Sequence, residues 1–233
     1  KRICIPEIDV DFVMEALVKL IEIEKDWVPS AEGTALYIRP FIIATDPYLG
    51  VKVSDTYKFF IILSPSGPYY KNGFQPVSLY VENFYTRAAE GGTGEAKCSG
   101  NYAASLIAGD KAKELGYDQV LWLDAKEKKY IEEVGSMNMF VVIDGEVLTA
   151  SLDGTILPGI TRDSIIKILK DKGYKVTERK VSLEEIIKAA KENRLNEAFG
   201  TGTAAVVSPV GKLRVGDEEY LIGDGKTGKI TQM

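Results

Sequence analysis

A chain of 233 residues, 45% hydrophobic and 27% charged, has the make-up of a globular protein, long enough for one large domain or for one domain plus part of another. Its net charge of −5 argues against a broad nucleic-acid surface, and no run of about 18 apolar residues offers a membrane span. The absence of histidine removes Ser-His-Asp and Cys-His catalysis and the usual zinc and iron ligand sets, so no metal is expected. A proton carrier near neutral pH then has to be Lys, Tyr, Asp, Glu, Cys or a cofactor.

In chain order, Lys1 to Pro6 lacks both an initiator Met and a signal-peptide core, and reads as an interior starting point. Asp9 to about Trp27 reads as an amphipathic helix that Asp9 or Asp11 can cap, with Phe12, Val13, Ala16, Leu17, Leu20 and Ile21 at helical spacing. Thr34 to Thr45 and Thr56 to Leu63 are β-branched and aromatic runs, hence strands, around the turn residues Asp46 to Val51. Ser64 to Pro76 is rich in Gly, Pro and Ser, and Val77 to Val81 resembles a further strand. These shifts predict a small domain over residues 1–68, an interdomain loop over 69–86 and a larger domain over 87–233.

In the larger part, Asn101 to Leu115 reads as one helix ending at Gly116, and Gln119 to Leu123 as a buried strand. Val134 to Asp144 and Glu146 to Ala150 suggest a hairpin turning at Asp144-Gly145. Helices are expected over Thr161 to Asp171 and after the capping box Ser182-Leu-Glu-Glu185, with a strand at Lys175 to Arg179 between them. Phe199 to Pro209 combines a Gly-Thr loop with a strand, and Glu218 to Ile222 is another. The order is mixed α+β, without the regular alternation of a doubly wound sheet.

Three Gly-rich stretches, at 91–94, 158–161 and 200–204, allow backbone N–H groups to approach an anion, and the second leads directly into a helix. Each is also compatible with an ordinary turn, and none is a Walker loop or a dinucleotide fingerprint. Lys97 lies between glycines just before a helical pattern, where dipole and burial together would free its amine for attack on a carbonyl; a solvated loop lysine is the alternative. Glu133 adjoins an apolar strand and, if buried, needs a cationic partner such as a protonated pyridine nitrogen. The alternative is a surface acidic pair, to which Glu132 in particular is suited. Tyr37 and Arg39 share a strand face and form either a carboxylate-binding pair or part of a structural ion pair.

Several segments resemble, in order, the branched-chain amino acid aminotransferases of the fold-type IV pyridoxal-phosphate class. They include Leu36-Tyr-Ile-Arg-Pro40, Pro47-Tyr-Leu-Gly-Val51, Gly91-Gly-Thr-Gly94, Lys97-Cys-Ser-Gly-Asn-Tyr102, Glu133-Val-Gly-Ser-Met-Asn138, Ile156-Leu-Pro-Gly-Ile-Thr-Arg162 and Phe199-Gly-Thr-Gly-Thr-Ala204. The resemblance implies an α+β fold made of part of a small α/β domain and a larger mixed-sheet cofactor domain. It implies pyridoxal 5'-phosphate as cofactor, with Lys97 carrying it and shuttling the substrate proton, Glu133 under the pyridine nitrogen and Tyr102 at the ring oxygen. Leu157, Gly159, Ile160, Thr161, Thr201, Gly202 and Thr203 would surround the phosphate. Tyr37, Arg39, Ser136, Thr203 and Ala204 would border the substrate, with Leu49 and Val51 reaching from one subunit of a homodimer into the other's site.

The implied reaction is amino-group transfer from leucine, isoleucine or valine to 2-oxoglutarate, giving 2-oxo acids and glutamate, in the cytoplasm, with neither nucleic acid nor membrane as partner. Two thiols, Cys4 and Cys98, fit a reducing compartment. Rival readings are a sibling activity, aminodeoxychorismate lyase or D-amino-acid transaminase, and a cofactor-binding or dimerising fragment without turnover. The family pattern has further residues before Lys1, among them an arginine for the phosphate, and after Met233. The Cys-x-x-Cys pair of some animal relatives is replaced by Ala205-Val-Val-Ser208.

Overall fold

The computed structural model describes residues 2–67 and 74–233, and the chain divides into two units, Lys1–Gly73 and Phe74–Met233. The predicted interdomain loop of 69–86 is therefore corrected in its second part. Residues 74–86 belong to the larger unit because Val77–Glu82 is a buried strand (β3) of its main sheet, while residues 69–73 lie outside the described residues.

In the first unit, helix α1 (Val10–Ile23) starts at Asp9, whose Oδ1 accepts the Phe12 N–H at 3.0 Å. It ends at Ile23, four residues before the expected Trp27, and a 3-10 turn at Lys25–Trp27 follows. Strands β1 (Ala35–Ala44) and β2 (Tyr57–Ser66) pair antiparallel along their full length. Asp46 closes the loop between them by accepting the Asp55 and Thr56 N–H groups and facing Lys52 at 2.8 Å; these donors hold its carboxyl well below the usual carboxylate range. Leu49 and Val51 stand fully exposed on that loop.

The second unit is built on strands β3, β4 (Gln119–Leu123), β5 (Ile131–Val134), β6 (Met137–Ile143), β7 (Glu146–Thr149), β8 (Val176–Glu178), β9 (Leu195–Gly202), β10 (Val206–Val215) and β11 (Glu218–Leu221). The pairing β10-β3-β4-β5-β6, completed by β9 between β6 and β10, closes a ring of strands. Helices α2 (Ser99–Ala103), α3 (Leu106–Glu114), α4 (Ile160–Asp171), α5 (Leu183–Lys191) and α6 (Lys229–Gln232) accompany it. Among the described residues no helix is long and apolar enough to cross a membrane.

Three sequence expectations change in detail. The single helix at 101–115 is two, because the Ser105 hydroxyl donates to the Tyr102 carbonyl at 2.7 Å and competes with the helical ladder. The strand expected from Val134 is two strands folded at Gly135-Ser136, where Gly135 takes a left-handed φ of 57°. The Gly-Thr loop at 200–202 is strand: Gly200 and Gly202 leave room for Met137 from the neighbouring β6. The Asp144-Gly145 turn and the Ser182 cap, which accepts the Glu185 N–H, are found where expected.

Two packed clusters support the ring. Trp122 of β4 sits with Tyr80, Val120 and Tyr117 against Ala108 and Ala112 of α3, and Phe140 stacks on Phe199 at 5.0 Å beside Ile166 and Leu169 of α4. Trp122 also donates its indole N–H to the Gly135 carbonyl at 3.0 Å, tying the core to the turn that follows Glu133. Trp122→Ala is expected to cost about 3–5 kcal/mol, the usual range for emptying a buried aromatic site, measured as the shift in denaturant midpoint.

Candidate active site

A cleft in the second unit is lined by Lys97, Tyr102, Glu133, Ser136, Leu157 and Arg87. It is small, about 30 Å³, and its rim carries the exposed Lys97, Tyr102 and Ser136. The sequence pattern thus brings together a loop amine before α2, a phenol on α2 and a carboxylate on β5.

Lys97 is set by the loop beneath it. Asn101 donates to the carbonyls of Thr93 and Ala96, both at 2.8 Å, and its Oδ1 accepts the Thr93 hydroxyl. Gly94 is needed where the loop meets Thr155, since a Cβ there would collide with the Thr155 carbonyl and with Ala88. The burial expected around Lys97 is not present: the residue is exposed, because it sits on the cleft rim and not in the packed interior.

Glu133 is 3% exposed. Its Oε1 accepts the Leu157 N–H at 3.0 Å and the Asn138 amide at 3.4 Å, and Arg87 Nε lies 3.3 Å from Oε2 without the angle of a hydrogen bond. Burial pushes this carboxyl up to about 7, against the pull of Arg87 and the Leu157 N–H. Glu132, expected at the surface, is 6% exposed instead, since β5 has protein on both faces.

Asn138 connects Glu133 to the second Gly-rich stretch. It donates to the Leu157 carbonyl at 2.9 Å, and a Cβ on Gly159 would strike its Oδ1. Gly159 is the N-cap of α4 and offers no side-chain cap, so the first N–H groups of the helix, from Ile160 and Thr161 onward, have no capping oxygen. Thr201 pairs with Asn138 in the β6–β9 register, which puts the two side chains on one face; its hydroxyl is buried without a hydrogen-bond partner. Gly202 ends β9, and Thr203 and Ala204 are exposed in the turn to β10. On the first unit, the Arg39 guanidinium donates to the Tyr37 hydroxyl at 3.2 Å and lies 5.1 Å from its ring centre, so the two share a face as expected. Among the described residues no carboxylate forms an ion pair with Arg39.

The profile of the amino-transferase class IV family matches residues 2–213. The chain belongs to this family. Among curated relatives, branched-chain-amino-acid aminotransferase 2 of Bacillus subtilis (strain 168) is 59% identical over 99% of this chain and 64% of its own length. A probable branched-chain-amino-acid aminotransferase of Staphylococcus epidermidis (strain ATCC 12228) is 56% identical over 99% of this chain and 65% of its own. The chain therefore spans just under two thirds of these relatives. The solved branched-chain amino acid aminotransferase of Escherichia coli matches with TM-score 0.77 and 30% identity over 98% of this chain and 69% of that one. That of Thermobaculum terrenum, solved in its PLP-form, matches with TM-score 0.79 and 25% identity over 97% and 68%.

Four further residues that no sequence pattern singled out brace this cleft. Arg87 and Thr155 carry no spacing signal, yet Arg87 is 8% exposed and donates to the Thr155 carbonyl while facing Glu133. Asn101 and Asn138 lie within the quoted motifs, but only the fold shows that one holds the Lys97 loop and the other holds Glu133 against the α4 cap.

Proposed function

We propose that this chain is part of a branched-chain amino acid aminotransferase that uses pyridoxal 5'-phosphate, takes the amino group of leucine, isoleucine or valine and passes it to 2-oxoglutarate. The observation that carries the reading is the joint lining of one cleft by the Lys97 amine and the buried, braced carboxylate of Glu133. The residues fit the cofactor. An unpartnered buried Thr201 hydroxyl and the uncapped start of α4 are donors for a phosphate, and a side chain on Gly159 would displace the Asn138 amide that holds Leu157 and Glu133 beside them.

When bound, the cofactor supplies an electron sink that acidifies the substrate Cα–H. Lys97 would hold the cofactor and would move the substrate proton between Cα and C4′. Glu133 would pair with the ring nitrogen and keep it protonated, and Arg87 and the Leu157 N–H hold the carboxylate in place for that role. Tyr102 would donate to the ring oxygen, and Leu157, Gly159, Ile160, Thr161, Thr201, Gly202 and Thr203 would hold the phosphate. Ser136, Thr203 and Ala204 would border the substrate, and Tyr37 and Arg39 would offer a carboxylate-binding pair. In this reading the protein is a cytoplasmic homodimer, in which the exposed Leu49 and Val51 supply apolar wall to the partner's site.

The test is an assay of the purified chain with cofactor, L-leucine and 2-oxoglutarate. Glutamate should form, and leucine alone should bleach the visible band of the lysine-bound cofactor. A band that leucine leaves unchanged, or faster conversion of D-alanine, contradicts the reading. Gly159→Ala should raise the cofactor concentration needed for half-saturation by about tenfold, the equivalent of one lost charge-assisted hydrogen bond, in a fluorescence titration.

A further inference from the structure

Across β5 from the Lys97 cleft lies a second cavity of about 340 Å³, within the ~300–1,000 Å³ typical of small-molecule sites. Its floor includes Glu132, Ile131 and Ile156, and its rim includes Lys126, Lys180 and Asp153. Glu132 is 6% exposed; its Oε1 accepts the Thr155 hydroxyl at 2.6 Å, and its Oε2 is buried with no hydrogen-bond donor. The nearby cations are engaged elsewhere: Arg87 with Glu133 and the Thr155 carbonyl, and Lys128 with the Tyr85 carbonyl at 2.8 Å. Burial pushes the Glu132 carboxyl up, as expected for a group short of a positive partner.

We propose that this cavity binds a small α-amino-acid zwitterion, with Glu132 receiving the ammonium and Lys126 and Lys180 the carboxylate. The chemistry selects against the other classes. Among the described residues no group of three or more His, Cys, Asp or Glu side chains is placed to hold a metal ion. Glu90, Asp124, Asp153 and Glu132 repel a simple anion, and the two rim lysines repel a polycation. A zwitterion satisfies both ends, and Ile131, Ile156 and Ala150 leave apolar wall for a short side chain. Thr155 links Glu132 to Arg87, which faces Glu133, so the two cavities share one chain of polar contacts. The site does not depend on the transamination reading.

The probe is N,N-dimethylglycine, a zwitterion with one ammonium N–H that forms no imine and so takes no part in chemistry at Lys97. Saturation-transfer NMR on its methyl signal should give saturable binding to the purified chain. Glu132→Gln should raise the apparent Kd about tenfold, and the Lys126→Ala/Lys180→Ala double variant about three- to fivefold. Lys97→Ala should leave it unchanged. The proposal is overturned by the absence of saturable binding, by an unchanged Kd in Glu132→Gln, or by loss of binding in Lys97→Ala, which would place the probe in the other cleft. Should Glu132→Gln fail to fold, the exposed lysine pair decides, and an unchanged Kd there overturns the proposal.

Discussion

Replacing Lys97 by Ala is expected to lower leucine transamination by about 10⁴-fold or more, the upper end of what one acid–base residue contributes. The chain has no histidine to take over proton transfer, and Lys97 is the one amine lining the cleft among the described residues. Because Lys97 is exposed, its removal should change stability by no more than about 0.5 kcal/mol, so the loss reads chemistry and not folding. The check is a steady-state assay beside a thermal melt of the same variant. Activity within tenfold of the parent would assign the proton transfer to another group.

The second large effect is at Glu133. Glu133→Gln keeps the shape of the side chain but removes the charge that holds the ring nitrogen protonated, and kcat should fall about 10²–10³-fold, as for loss of one preorganised electrostatic contact. The same variant tests the charge without the cofactor. The native carboxyl titrates at about 7 against an ordinary 4.5, so between those values the folded chain holds a proton that the unfolded chain has lost. Stability from this group is therefore fully present below pH 4.5 and is lost as pH rises through 7, by at most about 3 kcal/mol. Urea unfolding of the cofactor-free chain at several pH values from 4.5 to 8 should show that decline, and Glu133→Gln should flatten it. Glu132, also pushed up by burial, keeps part of the slope with the same sign.

Local pattern made much of this legible. Period and caps located α1, α4 and α5, and β-branched runs located β1, β2 and β4, because those signals are written in neighbouring residues. The closure of the ring was not legible: β9 joins β6 and β10 through backbone pairing, and alternation along a strand does not name its partners. That Glu132 and Glu133 sit on one strand with both faces buried was not legible, since the expected strand began only at Val134. Arg87 lay outside any pattern, since its role comes from Thr155, 68 residues later in the chain. The family resemblance supplied the candidate roles of Lys97 and Glu133; their shared cleft came from the fold.

The most direct measurement is borohydride reduction of the chain with pyridoxal 5'-phosphate, followed by peptide mass mapping. The account predicts a single stable adduct, on the peptide that contains Lys97, and a much smaller yield in Glu133→Gln. An adduct spread over surface lysines such as Lys126 and Lys180, or none on Lys97, would contradict it.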